Sequence, residues 1–298
     1  MLTRKAIIVA GTLLTLGAMA QAPQTVRLAT TYTPNSWLVY SISATTKITT
    51  RTGPGAALHA TLVTQAEAQL HVLPGATTND FEIAARFNKY STTVRADNAA
   101  QKAGLEKQAA ATDQAAVAMK PALFRVVNGV FSTVFRQPGD HYDQPADMLS
   151  ELTRNDVLPR RPVAVGAQWT RTRERAIPTT TISMPLTLRC RLAALGSEHG
   201  DRTAAIAVDS TGSANLPPGS LPDSQKLASQ GLVPLGRFST KTTANSVYRV
   251  ADGVLLATSS QTHSSMQLQF IGPSPQAATS DSEIDSTGSV KLEKILAN

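Results

Sequence analysis

Five histidines, one cysteine and 21 carboxylates are the groups in this chain that could do chemistry. His59, His71, His141, His199 and His263 form no HExxH, no HxxxH and no Cys/His spacing that would hold zinc. His59 and His71 fall on one side of an alternating stretch, too far apart to share a metal. His141 and Asp143 in GDHYDQP are two apart on a loop, and suit a polar turn or a pair that polarises water. Cys190 lies between Leu188 and Leu192 on an apolar strand face, the setting of a buried, inert thiol. No G-x-S-x-G elbow is present. Thr52-Gly53-Pro54-Gly55 has proline in the loop and no lysine after it, so it reads as a hairpin turn rather than a phosphate loop. The carboxylates fall in no catalytic pairing. These residues point away from an enzyme and imply no cofactor and no metal, although a dyad built from distant residues would leave no such trace.

One constellation stands apart. In WTRTRER, strand geometry puts Trp169, Arg171, Arg173 and Arg175 on one face, with guanidiniums about 7 Å apart along the row. Such a row suits phosphates or an acidic partner surface. It equally suits an edge strand whose charges discourage pairing with other chains. After Trp37 the same spacing gives Val39, Ser41 and Ser43, so the first half of the chain lacks the row.

Strand periodicity dominates the elements that would position these groups. In ALHATLVTQAEAQLHVL, Leu58, Ala60, Leu62, Thr64, Ala66, Ala68, Leu70 and Val72 alternate with a polar set. That is the pattern of a half-buried antiparallel strand, either long and curved or broken by a turn. A helix through TQAEAQL competes with this reading. FEIAARF, SMPLTLRCRLAAL, TAAIAVD and MQLQF repeat the alternation, so the sheet has a dry side and a wet side.

Two phrases recur, FRVVNGVFSTVF and YRVADGVLLATS. Asn128-Gly129 and Asp252-Gly253 are the dipeptides that best accept a type I′ turn, so each phrase reads as a tight hairpin. Trp37 and Trp169 each open a strand ahead of one phrase. The two halves therefore read as one unit used twice, chance likeness of two hairpins being the alternative. Ala96–Lys120 favours a helix stopped by Pro121, with Leu105, Val117 and Met119 as its larger anchors. DQPADMLSELTRNDVLP suggests a shorter helix joining the halves, and a short helix is expected at Ser224–Gln230. PSPQAATSDSEIDSTG reads as a polar linker before a last strand in SVKLEKIL.

The first residues have the three parts of an export signal. Arg4 and Lys5 precede an apolar run, Ala6 to Gly17, and Ala18, Ala20 and Ala22 supply small-x-small cleavage patterns. An uncleaved anchor is the alternative. No cysteine near the cleavage region could take a lipid. Removing residues 1–22 takes away Arg4 and Lys5, so the net charge falls from +7 to +5, too modest for a nucleic-acid partner. No later apolar run is long enough to span a membrane. With one cysteine there is no internal disulfide, so the fold must stand on its core.

LPRRPVAVGAQW at 158–169 and the closing TGSVKLEKI resemble phrases in a family of bacterial exported β-rich proteins with no assigned activity. The strand-rich design is similar, at the level of fold, to half-barrels of the lipoprotein-carrier type. That resemblance implies a long curved sheet with helices against its concave side, the Ala-rich helix acting as plug, and it carries over no ligand-contacting residue. The expected fold is mainly β with a minor α part: a long curved antiparallel sheet, half-barrel-like and pseudo-duplicated, with one Ala-rich helix packed on it. Expected units are the signal at 1–22, a first half at 23–145, a second at 146–275, and a linker with terminal strand at 276–298. The expected role is non-enzymatic binding of a lipid, lipoprotein or other hydrophobic ligand in the envelope. The alternative is a structural or partner-binding envelope module with a filled core.

Overall fold

A computed structural model describes residues 25–297 apart from 76, 78–79, 128–129, 134–143, 154–155, 178–179, 181, 222–223 and 273–277. The expected export signal, His141, Asp143 and the expected turn at Asn128-Gly129 lie outside the described residues. The elements run β1 (Thr25–Val26), β2 (Ser36–Thr52), β3 (Leu58–Pro74), β4 (Phe81–Ala96), α1 (Ala99–Ala118), β5 (Ala122–Val127) and β6 (Val130–Thr133). Next come α2 (Gln144–Thr153), β7 (Val163–Ala164), β8 (Gln168–Ala176), β9 (Ser183–Glu198) and β10 (Asp201–Leu216). The chain continues with α3 (Ser224–Ser229), β11 (Val233–Arg249), β12 (Leu255–Ile271) and β13 (Ala278–Ala297).

Eleven strands form one antiparallel curved sheet in the order β6-β5-β4-β3-β2-β13-β12-β11-β10-β9-β8, and the sheet is not closed into a barrel. Its two runs share one order, three strands, a helix, then two strands: β2-β3-β4-α1-β5-β6 and β8-β9-β10-α3-β11-β12. β13 pairs with β2 on one edge and β12 on the other.

Alternation assigns every side chain to a face. Ala66, Ile42, Val290, Thr258, Ser246, Ile206 and Leu192 are successive register partners and make one row across seven strands. This inner face carries both cores. One gathers Leu38, Tyr40, Leu70, Val72, Ile83 and Phe124; the other gathers Leu186, Leu188, Cys190, Leu192, Ile206 and Tyr248. Two segments cross from one core to the other: Leu28 lies in the second and Tyr32 in the first, while Leu149 lies in the first and Leu158 in the second.

β3 is one uninterrupted strand of 17 residues, so no turn and no helix interrupts its alternation. Helix α1 starts at Asn98, whose side chain accepts from Ala100 N and Gln101 N, the usual way to satisfy first-turn donors. It buries only Ala109 and Ala116 and rests on β4. β5 pairs with β4 only at Phe81–Ala85, and farther along β4 the Asp113 carboxylate accepts from Thr92 N at 2.8 Å. The Ala-rich helix therefore covers a strand edge, a hazard that proteins must blunt, rather than plugging the middle of the sheet.

The two recurring phrases join the fourth and fifth strands of their runs. Val127 is opposite Val130 in the first. In the second, Arg249 N bonds Val254 O, leaving four residues in the loop, and of the Asp252-Gly253 pair only Gly253 has positive φ. The expected type I′ geometry is absent there. It occurs instead at His199-Gly200, with φ 52° and 91° between the partners Glu198 and Asp201. Histidine tolerates that conformation better than most residues, which is why no Asn-Gly signal marked it. Residues 278–288 of the segment expected to be a polar linker form the first half of β13, because a stretch polar on both faces has no apolar period to betray it.

Cys190 is 1% exposed, and burial pushes its thiol up to about 11. Burial likewise raises the hydroxyls of Tyr32, Tyr40 and Tyr248 well above 10, and Tyr40 Oη donates to Leu255 O at 3.0 Å. The folded state keeps these protons at a pH where the unfolded chain releases them. Stability is thus full below about pH 9, the unperturbed thiol range, and is lost as pH rises beyond it. Tyrosinate absorbance should appear together with loss of near-ultraviolet circular dichroism. Titration of all five tyrosines near pH 10 with the fold intact would contradict this.

Candidate functional site

The Trp169–Arg175 row lies on the inner face, because its register partners are Cys190, Leu188, Leu186 and Met184. Its first three members engage the segment that follows α2. Trp169 Nε1 donates to Val157 O at 2.9 Å, and Arg171 donates to the carbonyls of Asp156 and Leu158. Arg173 pairs with Glu151 at 3.1 Å and Asp156 at 3.5 Å, and its side chain is 14% exposed. Burial opposes its charge, but the two carboxylates more than offset that and hold its pKa above the ordinary arginine value. Arg175 is exposed. The row thus clamps the crossing segment to the edge strand β8, with one guanidinium left outside.

A shallow trough of about 650 Å³ lies over β2, β13, β12 and β11. Lys47 and Lys241 stand at its sides, and between them His263 Nδ1 is 2.8 Å from Asp285 Oδ1. These residues are register partners in one row, Lys47–Asp285–His263–Lys241, on the face opposite the cores. A carboxylate on Nδ1 is how a general base is oriented. Among the described residues, however, no hydroxyl or thiol is hydrogen-bonded to the other ring nitrogen. The arrangement is a solvent-exposed histidine–carboxylate contact set among polar threonines. Sequence reading missed it, since residues 47, 241, 263 and 285 become neighbours only through strand register.

His59 bonds Thr49 at 3.1 Å on the same outer face. His71 stacks on Trp37 with ring centroids 4.1 Å apart. Among the described residues, no group of three or more His, Cys, Asp or Glu could hold a metal ion.

The inner face of the central strands offers a different environment. Ile48 opposes Ile284, and Met266 and Leu268 follow on β12. All four are half-buried, whereas their outer-face neighbours are mostly exposed. The helices pack chiefly on β4, β5 and β11. Hydroxyls on this strip satisfy one another across strands: Thr46 with Ser286 at 3.0 Å, Thr242 with Thr262 at 2.9 Å, Thr240 with Ser264 at 2.9 Å. Paired in this way, the threonines are free to present their methyls, and the strip is less polar than its composition suggests.

No family model matches the chain, and no curated protein matches it. Among solved structures it is similar to lipovitellin, in a study of its lipid–protein interactions, at 13% identity and TM-score 0.38. That match covers 89% of this chain and 26% of the other, so the chain spans about a quarter of it. It is also similar to an outer membrane channel from Pseudomonas putida F1, at 9% identity and TM-score 0.25, over 88% of this chain and 97% of the other. Likenesses this slight assign no role to the chain. Among the described residues, no helix is long and apolar enough to cross a membrane, which says nothing of strands.

Proposed function

We propose that this is an exported, non-enzymatic binding protein of the cell envelope whose sheet takes a lipid or lipidated chain along its inner face. One observation carries the reading: the strip of Ile48, Ile284, Met266 and Leu268, with its self-paired hydroxyls, is only half-buried, and it runs from the central strands to the border of the second core. An acyl chain laid there would gain about 25 cal/mol for each Å² of apolar surface removed from water. The first 22 residues direct export and are cleaved near Ala18, Ala20 and Ala22, and the two runs, 23 to 145 and 146 to 275, are one unit used twice. Native mass spectrometry of the mature protein, purified from the exporting compartment, tests the reading. A discrete added mass that extraction identifies as lipid is expected, and Ile48→Asp with Ile284→Asp should cut its occupancy at least tenfold. A clean apo mass with no uptake of added lipid would sink it.

A second reading, a partner-binding module with a filled core, is favoured by the packing of Leu149 and Leu152 into the first cluster. In that case Arg175, the exposed end of the Trp169, Arg171, Arg173 row, is the contact to test first.

A further inference from the structure

β13 occupies the middle of the sheet, yet none of its 20 residues is buried. Each other long strand, β2, β3, β4, β9, β10, β11 and β12, buries at least two. Its inner positions are Ser280, Ser282, Ile284, Ser286, Gly288 and Val290, and its outer ones include Asp281, Glu283 and Asp285. Charge helps to set the register: Asp281 is opposite Arg51, and Asp285 is opposite both Lys47 and His263. Ser41 donates to Glu293 at 2.7 Å. Val290 and Leu292 rest against the first core, and the rest of the strand is held mainly by its two backbone ladders and by polar contacts that water can replace.

Unseating the strand breaks both ladders but withdraws no fully buried side chain, so most of what is lost is backbone pairing that an identical strand restores. The slot it leaves, bounded by β2 and β12, fits any strand of the same sequence equally well. We propose that two copies of the chain exchange β13, each seating its strand between β2 and β12 of the other. The exchanged dimer repeats every native contact of β13, so concentration decides its population, while breaking the two ladders sets how fast it forms. This inference does not depend on the ligand reading.

Two full-length variants test it, Thr46→Cys and Ser286→Cys, whose native side chains meet at 3.0 Å across β2 and β13. Each variant carries half of the pair, so a 46–286 disulfide can join two chains only if β13 of one sits in the other. After mixing, mild warming and oxidation, the expected product is a covalent heterodimer whose yield rises with concentration. Peptide mapping should find the 46–286 link at least tenfold above the 46–46 link. A control mixing Lys107→Cys with Ser286→Cys should give only chance linkage. Thr46→Cys/Ser286→Cys in a single chain should lock the strand and remove dimers from light-scattering chromatography. Should either single variant fold poorly, Thr50→Cys and Ser282→Cys, whose native side chains are 3.3 Å apart, repeat the test. Chance-level linkage, with monomer at every concentration, overturns the proposal.

Discussion

Chains lacking residues 278–297 are expected to lose their single cooperative melting transition and to aggregate. Without β13 the eleven-stranded sheet becomes two of five strands each, β6 to β2 and β12 to β8. Each would bare a 17-residue edge, on β2 and on β12, with unpaired donors and acceptors along its length. What then joins the runs is the Tyr40–Leu255 hydrogen bond and the crossing segments. Thermal circular dichroism and size-exclusion chromatography report the outcome. An unchanged melting temperature in a monomeric product would mean that β13 is not integral to the sheet.

Gly253→Val should cost roughly 2–6 kcal/mol. The residue has φ +65°, and a Cβ there would sit 2.6 Å from Ala29 O and 2.8 Å from its carbonyl carbon. Backbone strain at positive φ contributes about 1–3 kcal/mol, and overpacking about as much again. The neighbourhood has little room to yield, because Thr31 N bonds Asp252 O at 2.9 Å and Arg249 grips the Asp252 carboxylate. Gly219 gives the contrast: it too has positive φ, but nothing lies within 4 Å of its built Cβ. Gly219→Ala should therefore cost only about 1 kcal/mol, the conformational share alone. Urea midpoints at fixed pH compare the two, and equal losses would refute the clash.

Much of the architecture was legible because burial is one-sided. Leu58 to Val72, Phe81 to Phe87 and Met184 to Leu192 each alternate, and each is a strand with its apolar set inward. Alanine content marked α1 to within a few residues, and Ser224–Ser229 is helical as expected. Cues based on an apolar period failed wherever the period was missing, as in β13. The arginine row could be placed on one face but its partners could not, since Glu151 on α2 and Asp156 after it reach β8 only through the tertiary fold. The Lys47–Asp285–His263–Lys241 row was invisible for the same reason, as no local pattern encodes contact between residues so far apart.

The pairing of β2 with β13 also sets a clock. About 225 residues lie between Thr52 and Ala278, and at ~5–20 residues per second a ribosome needs on the order of 10–45 s to make them. Throughout that interval one flank of β2 waits for a neighbour that has not been synthesised. A synonymous change that slows translation between these strands lengthens the wait without altering a single contact in the finished molecule. Yield would then depend on codon choice between these two strands, and on any chaperone able to shield the waiting one.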